Sequence, residues 1–170
     1  MPHPIVTETV QVGSVEIGGG RRFALIAGPC VIENDEHPFF MAEQIKAICE
    51  PLGIPYIFKA SFDKANRTAI DGFRGPGLTH GLEILKGVRE RVGIPVTTDV
   101  HEREQAGPIG EACDLLQIPA FLCRQTDLLL DAAATGKAVN IKKGQFLAPW
   151  DITHAAEKAK STGNPNVLVT

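Results

Sequence analysis

The stretch "IPYIFKASFDKANRT" (Ile54 to Thr68) joins a short apolar run to a cluster of cations. Its first five residues are apolar without a break, which is typical of a β-strand covered on both faces. Lys59 ends this run, and Lys64 and Arg67 follow within eight residues. The stretch therefore predicts a buried parallel strand with a cluster of positive charge at its carboxyl end.

Five further apolar runs repeat this pattern along the chain. They are nearly continuous rather than alternating, which again indicates strands covered on both faces. Segments with amphipathic helical spacing separate most of them, as between Met41 and Leu52, where apolar residues recur on one helix face. The five runs begin at Phe23, Ile94, Asp114, Ala138 and Asn166.

Five helices are predicted between these strands from apolar spacing and end signals. The first begins near Pro38 and ends at Gly53, with Pro51 distorting its last turn. The second carries Leu82 to Val92 and closes at Gly93. The other three are predicted over Glu102 to Cys113, over Asp127 to Ala134 with Asp127 as the cap, and from a capping Asp151 to Gly163.

Strands that alternate with helices indicate a βα architecture with a parallel sheet. A doubly wound sheet and a (β/α)8 barrel both fit, but no GxGxxG or Walker loop follows a strand, and polar residues at nearly every strand end favour the barrel. We predict a (β/α)8 TIM barrel over residues 23–170, with its first six strands, after an extension over residues 1–22 that holds a β-hairpin. Because the whole barrel needs eight strands and about 250 residues, the 170 residues are expected to belong to a longer protein.

Composition excludes several classes of protein. The chain has a net charge of −3 and no obvious basic face, which argues against nucleic-acid binding. Its apolar runs are too short to span a bilayer. The N-terminus shows no signal peptide, and the four cysteines form neither a CxxC motif nor a dense disulfide framework, so a reduced, cytoplasmic protein is expected.

In a barrel, the carboxyl ends of the strands meet on one face, so the side chains there are candidates for one site. Cations dominate this set, and Lys and Arg are costly to bury without an anion. The set predicts a small ligand with several negative charges; the alternative is that these cations are solvated loop residues. The set comprises Cys30, Lys59, Lys64, Arg67, Asp99, His101, Gln117, Arg124, Lys142, Lys143 and Gln145.

Several of these residues have a second interpretation. Lys59 or Lys142 could form a Schiff base, as in aldolases. Cys30 could be a small buried residue rather than a metal ligand. The sequence leaves open whether Asp99 and His101 face the same side, and whether Arg74 in the loop "GFRGPGL" reaches the site.

Several motifs occur together in a recognisable order: "IAGPC", "FKASFDKANRT", "RGPGL", "TDVHE", "LQIPAFLCRQTDL" and "NIKKGQFLAPW". From Phe23 to Thr170 the chain resembles the 3-deoxy-manno-octulosonate 8-phosphate synthases. The related 3-deoxy-arabino-heptulosonate 7-phosphate synthases typically carry a KPRTS-type loop, so Ala65 and Asn66 favour the octulosonate enzymes.

The resemblance implies a cytoplasmic homotetramer of (β/α)8 barrels that serves lipopolysaccharide biosynthesis. These enzymes condense phosphoenolpyruvate with arabinose 5-phosphate and water and release phosphate. Carried over by motif, the phosphoenolpyruvate side would be lined by Lys59, Lys64, Gln117, Arg124, Lys142 and Gln145. Asn66, Arg67 and Thr68 would hold arabinose 5-phosphate, and Asp99 would lie near the metal and the sugar.

Cys30 stands where one form of the family has a Cys and binds a divalent metal, and the other has Asn and needs none. The resemblance therefore implies a divalent metal of open identity, with Cys30 as one ligand. Its other ligands, a His, a Glu and an Asp, and a further phosphate-binding Arg would follow Thr170. Two rival functions remain: a Schiff-base aldolase on the same barrel, and a non-catalytic sugar-phosphate-binding module.

Overall fold

The computed structural model describes residues 7–170. Six parallel strands form one sheet in which every strand pairs with its neighbour in the sequence, in the order β3-β4-β5-β6-β7-β8. A separate antiparallel pair, β1-β2, precedes this sheet. The strands are β1 Val10–Val12, β2 Val15–Ile17, β3 Leu25–Ala27, β4 Tyr56–Lys59, β5 Val96–Asp99, β6 Leu115–Ile118, β7 Ala138–Ile141 and β8 Val167–Val169.

An α-helix follows each of the first five strands of the large sheet, and two short 3-10 turns precede α3 and α4. The result is a curled half-barrel with a helical outer layer, which agrees with the predicted barrel architecture over the described residues. The helices are α1 His37–Leu52, α2 Leu78–Val92, α3 Ala106–Ala112, α4 Thr126–Ala134 and α5 Ile152–Lys160.

The two faces of the sheet bury different sets of side chains. Phe58, Val96 and Leu116 belong to the large core beneath the helices. Ile57 and Leu115, one position away along their strands, pack instead with residues of the β1-β2 hairpin. The hairpin therefore covers the apolar part of the inner face of the sheet. The polar residues at the carboxyl ends of the strands lie on the same face, beyond the part that packs with the hairpin.

The six predicted strands and the hairpin are confirmed, but several helix bounds differ from the prediction. Helix α2 begins at Leu78, four residues before Leu82, the first apolar residue that marks it in the sequence, and its cap position, Gly77, has no side chain that would signal this start. Asp127 lies inside the first turn of α4 and is not its cap, which is Gln125. Asp151 occupies the cap position of α5 but its side chain makes no capping hydrogen bond.

The predicted third helix, Glu102 to Cys113, is divided. Arg103–Gln105 forms a 3-10 turn, and α3 starts only at Ala106. At this turn the side-chain oxygen of Gln105 accepts from the backbone N–H of Glu102 at 3.2 Å, one half of a capping box, and the N–H of Gln105 donates to the carbonyl of Glu102 at 3.1 Å. Pro51 stays inside α1, which ends at Gly53 in the left-handed conformation.

The first six residues lie outside the described part of the chain, so the predicted extension over residues 1–22 is visible only from Thr7 onwards. The division between that extension and residues 23–170 stays a prediction. Within the described residues, no helix combines the length and the hydropathy that a bilayer crossing needs.

Candidate functional site

A row of buried polar side chains crosses the carboxyl ends of four neighbouring strands. Strand pairing places Lys59 beside Thr97, Asp99 beside Gln117, and Gln117 beside Asn140. Asp99, Gln117 and Asn140 are each less than 9% exposed. Because parallel strands bring equivalent positions into lateral contact, residues far apart in sequence form one polar layer above the apolar inner core.

Ser61, just beyond β4, is the centre of this layer. Its hydroxyl oxygen accepts hydrogen bonds from Lys59 Nζ at 3.3 Å and from Lys64 Nζ at 3.0 Å. Its hydroxyl hydrogen is donated to Asp99 Oδ2. A serine hydroxyl has one hydrogen and two lone pairs, so these three contacts use its full capacity and fix its orientation.

Asp99 collects the contacts of this layer. Its Oδ2 also faces Lys59 Nζ at 3.3 Å, and its Oδ1 accepts a hydrogen bond of 2.7 Å from Gln117 Nε2. Burial alone would raise the pKa of Asp99, but the Lys59 and Lys64 charges and the hydrogen bonds from Ser61 and Gln117 together hold that pKa below its usual value. The carboxyl group is therefore an ionised acceptor at neutral pH.

Lys59 has an anionic partner within the protein, because Asp99 on the adjacent strand pairs with it. Two ammonium groups, those of Lys59 and Lys64, nevertheless converge through Ser61 on one carboxylate. The cluster keeps an excess of positive charge, which still favours an anionic ligand.

The loop after β4 holds Lys64 in place. The backbone N–H of Lys64 donates to the carbonyl of Arg74 at 2.7 Å, and Gly77 N donates to Phe62 O at 3.2 Å. Arg74 is paired through two hydrogen bonds with Asp63, and its side chain is 56% exposed. Arg74 therefore fastens the loop and does not reach the Asp99 layer.

Asn66, Arg67 and Thr68 lie further along this loop. Arg67 is half-buried, and its Nε donates to the carbonyl of Ile70 at 3.1 Å. Asn66 and Thr68 are exposed. These three residues follow Lys64 closely in sequence, but among the described residues their side chains make no hydrogen bond to the Lys59–Asp99 cluster. Their role in holding a sugar phosphate stays a prediction.

A cavity of about 500 Å³ opens beside His101 and Arg124, at the same end of the strands. The ring of His101 packs edge-on against Phe62, with the two centroids 5.4 Å apart. Burial lowers the pKa of His101, against the raising effect of the Asp99 charge, so its ring is neutral at neutral pH. His101 is near enough to Asp99 for the carboxylate charge to act on it, but its side chain packs on Phe62 and takes part in none of the hydrogen bonds of the Asp99 layer within residues 7–170.

Arg124 lines this cavity and a second one of about 290 Å³ on the side of α5. Within residues 7–170 its guanidinium takes part in none of the ion pairs or side-chain hydrogen bonds, whereas Arg103, which also lines the larger cavity, is paired with Asp127 and Asp131 at 3.2 and 2.6 Å. Arg124 is thus a cation free to bind an anion that enters the cavity.

Lys142 and Gln145 follow β7 on an exposed loop. The backbone N–H of Lys142 donates to Ile118 O at 3.1 Å, which extends the β6-β7 ladder and points the loop towards the strand ends. Lys143, in contrast, turns back on its own loop and donates to the carbonyls of Gly144 and Leu147 at 2.9 and 3.0 Å. The site roles of Lys142 and Gln145 stay predictions.

Cys30 follows β3 and is exposed, while the three other cysteines are buried. Among residues 7–170 no three His, Cys, Asp or Glu side chains come together as a metal site would require. Cys30 alone is not a metal site, and the described residues by themselves do not fit a bound divalent ion.

Three members of the polar layer escaped the sequence analysis: Ser61, Asn140 and Thr170. Asn140 donates from Nδ2 to Gln117 Oε1 and to Thr170 Oγ1, each at 3.2 Å. The available signals were Ser61 two positions after Lys59, hence on the same face, and an Asn inside an apolar strand, where Asn is rare.

Comparison with known proteins gives one family for nearly the whole chain. Residues 4–170 match the DAHP synthetase I family. The similar curated relatives include a 2-dehydro-3-deoxyphosphooctonate aldolase of Trichlorobacter lovleyi, which is 56% identical over 165 residues. Proteins of the same name from Geotalea uraniireducens and a Cyanothece species are 57% and 58% identical over 165 and 156 residues.

These matches cover most of this chain but only part of each relative. The alignment with the Trichlorobacter lovleyi protein spans 97% of this chain and 61% of that relative, and the Cyanothece alignment spans 92% and 57%. The chain therefore spans about three fifths of the length of the curated relatives that it matches.

Proposed function

The chain belongs to the DAHP synthetase I family, and from that premise we propose that the intact protein condenses phosphoenolpyruvate with D-arabinose 5-phosphate and water. The products are 3-deoxy-D-manno-octulosonate 8-phosphate and inorganic phosphate. The observation that carries the proposal is the 54–58% identity to relatives whose name, 2-dehydro-3-deoxyphosphooctonate aldolase, denotes this activity. The enzyme would be a transferase of lipopolysaccharide biosynthesis.

The charge distribution of the site supports this proposal. Both substrates are phosphate esters, and phosphoenolpyruvate adds a carboxylate. Two ammonium groups around Asp99, and the guanidinium of Arg124, which has no ion pair within residues 7–170, can neutralise such anions. Neutralisation of this kind positions the reactants and stabilises developing charge, which are the two largest contributions to enzymatic catalysis.

The proposed roles follow the position of each side chain. Lys59, Lys64, Asp99 and Lys142 act at the reacting centre, because the first three form one network and the fourth follows β7 at the same end of the sheet. Gln117, Arg124 and Gln145 bind phosphoenolpyruvate. Asn66, Arg67 and Thr68 bind arabinose 5-phosphate from the loop after β4.

In the reaction, the methylene carbon of phosphoenolpyruvate attacks the sugar aldehyde and water adds at the enol carbon. The bond between that carbon and the phosphate oxygen then breaks, and phosphate leaves. Asp99 is ionised and can accept a proton or a hydrogen bond from the attacking water. Ser61 keeps Asp99 and the two lysines in fixed relative positions during these steps.

We also propose that Cys30 is one ligand of a divalent metal whose other ligands lie outside residues 7–170. A thiolate is a ligand suited to borderline divalent ions. The support is that Cys30 is the exposed cysteine and stands at a strand end of the site face. We route no step of the reaction through the metal. A cytoplasmic homotetramer remains part of the proposal.

A second condensation in the same family, with erythrose 4-phosphate as the sugar, is the alternative. The family description names the heptulosonate synthases but does not discriminate between the two sugars, whereas the loop "KANRT" and the names of the relatives favour arabinose 5-phosphate. A Schiff-base aldolase needs an uncharged lysine amine. Lys59 and Lys64 instead converge on a hydroxyl oxygen and a carboxylate, which suit ammonium donors.

The proposal is tested by measuring inorganic phosphate released by the purified intact protein from phosphoenolpyruvate. Release is expected with arabinose 5-phosphate, to be much slower with erythrose 4-phosphate, and absent without sugar. Faster release with erythrose 4-phosphate would assign the heptulosonate activity. A covalent adduct trapped by borohydride with either substrate would instead support the Schiff-base aldolase.

A further inference from the structure

We propose that Asn140 is a positioning residue that, through the side-chain amide of Gln117, keeps Asp99 a charged acceptor in the site. The inference deepens the proposed function, on which the assignment of Asp99 to the reaction rests. Asn140 belongs to none of the residue sets that the motifs predicted. Its side chain stands two strands away from Asp99, on β7, and is 1% exposed.

The argument starts from the hydrogen-bonding capacity of each group. An ionised carboxylate can only accept, so the Gln117 amide must turn its NH2 group towards Asp99. The carbonyl oxygen of Gln117 then faces the other way, towards β7. Asn140 must therefore present its own NH2 group there, which it does at 3.2 Å. The charge of Asp99 thus sets the orientation of two amides across three strands.

Asn140 in turn fixes the orientation of Gln117. Because its NH2 group donates to the carbonyl oxygen of Gln117, the NH2 group of Gln117 stays turned towards Asp99. Asn140 makes a second bond to Thr170 Oγ1 at 3.2 Å, which fixes its own NH2 group. Its Oδ1 is buried without a partner among residues 7–170. Leaving a buried oxygen unpaired costs stability. The structure accepts this cost in an orientation in which the NH2 group of Asn140 makes both of its hydrogen bonds.

Asn140→Asp reverses the polarity at this point with almost no change of shape. A carboxylate at position 140 can only accept, so Gln117 is expected to turn its NH2 group towards it and its carbonyl oxygen towards Asp99. The hydrogen bond to Asp99 Oδ1 is then replaced by a repulsive contact. The titratable groups that face Asp99 from other elements, the charged Lys59 and Lys64 at β4 and the neutral His101 beyond β5, are unchanged by this substitution.

The test is the pH titration of the Asp99 carboxyl in the intact protein, followed by NMR with carbon-labelled aspartate and assigned by its loss in Asp99→Asn. In Asn140→Asp the midpoint is expected to rise by about one pH unit or more, from the lost hydrogen bond together with the charge of the new carboxylate, and Asn140→Leu, which adds no charge, isolates the contribution of the hydrogen bond. The acid limb of the phosphate-release profile should move with it. Asn164→Asp is the matched control, because Asn164 is also buried but donates only to the carbonyls of Ala133 and Lys137.

A midpoint in Asn140→Asp that equals the wild-type value would overturn the inference. If that variant does not fold, Asn140→Leu decides, because it removes the donor without adding charge. It is expected to raise the midpoint in the same direction by a smaller amount, and an unchanged midpoint would overturn the inference. The titration needs no turnover, so it stands even if phosphate release with arabinose 5-phosphate fails and the proposed function with it.

Discussion

Lys59 Nζ lies 3.3 Å from Asp99 Oδ2, so a cation that ends β4 faces an anion that ends β5. The side chains of the pair are 21% and 11% exposed, which leaves them reachable from the strand-end face. A buried pair of this kind is costly unless further hydrogen bonds complete it, and Ser61 and Gln117 supply them. The pair is therefore the completed, charged centre of the polar layer.

Ser61→Ala tests whether the hydroxyl organises the site. The substitution removes the donor to Asp99 and the shared acceptor of Lys59 and Lys64, and should lower the free energy of unfolding by about 1–3 kcal/mol. Phosphate release should fall as well, because the lysines lose their fixed positions. Urea unfolding and the phosphate assay measure the two effects. The control Ser14→Ala, on the exposed turn of the hairpin, should change neither the free energy of unfolding nor the rate of phosphate release. Equal losses in the two variants would contradict an organising role of the Ser61 hydroxyl.

Asp99→Asn tests the pH dependence of stability. The pKa of Asp99 is lowered on folding, so its contribution is present above the unfolded pKa of about 3.9 and is lost as the pH falls below that value through the folded pKa. As the pH is lowered from 5 through the folded pKa, the wild-type protein should therefore lose more free energy of unfolding than Asp99→Asn. Urea unfolding followed by fluorescence at each pH measures this loss. Asp71→Asn removes an exposed carboxylate and should follow the wild-type curve.

The pH dependence of the free energy of unfolding in wild type and Asp99→Asn also distinguishes the contribution of Asp99 from that of His101. The lowered pKa of His101 removes stability as the pH falls from about 6.5, before Asp99 titrates. Asp99→Asn should leave that earlier decline in place. Parallel curves for wild type and Asp99→Asn across the whole acid range would contradict the lowered pKa of Asp99.

Arg124→Ala tests the free cation of the cavity. Its guanidinium is expected to hold a phosphate group through charge-assisted hydrogen bonds, so the substitution should weaken phosphoenolpyruvate binding by roughly ten-fold or more. Isothermal titration with phosphoenolpyruvate measures this in the intact protein. Arg22→Ala is the control, because Arg22 is exposed and precedes β3, at the opposite end of the strands. Equal affinity in Arg124→Ala and wild type would exclude Arg124 from the phosphate site.

Cys30 is expected to be the fast-reacting thiol of the folded chain. It is exposed, whereas Cys49, Cys113 and Cys123 are buried, and burial raises the pKa of Cys113 to about 12. A thiol reagent should therefore modify one cysteine rapidly, and Cys30→Ser should abolish this phase. Divalent zinc should slow the fast phase in the intact protein if Cys30 is a ligand. An unchanged rate with zinc, together with equal bound metal in Cys30→Ser and wild type, would contradict the metal role.

The six strands were predictable because strands covered on both faces leave continuous apolar runs in the sequence, as in the run before Lys59. The start of α2 was not, because Gly77 provides no side-chain cap and the apolar spacing becomes clear only at Leu82. Capping by Asp127 was predicted wrongly because an Asp in the first turn of a helix and an Asp at its cap look alike in sequence.

Part of the polar layer was predictable residue by residue, but its hydrogen-bond network was not. Strand-end position was enough to select Lys59, Asp99 and Gln117, since a parallel sheet collects its carboxyl ends on one face. The role of Ser61 depends on Asp99, which is 38 residues away, and on the register of β4 against β5. Asn140 joins the network only through the pairing of β6 with β7, which no local pattern reveals.

The most direct test of the condensation uses phosphoenolpyruvate labelled with oxygen-18 in the oxygen that joins its enol carbon to phosphorus. The intact protein is incubated with this substrate and arabinose 5-phosphate, and both products are examined by mass spectrometry. The account predicts that the label leaves in the inorganic phosphate and that the sugar product is unlabelled, because the bond between carbon and oxygen breaks. Label retained in the sugar product, or release of phosphate that does not require the sugar, would contradict it.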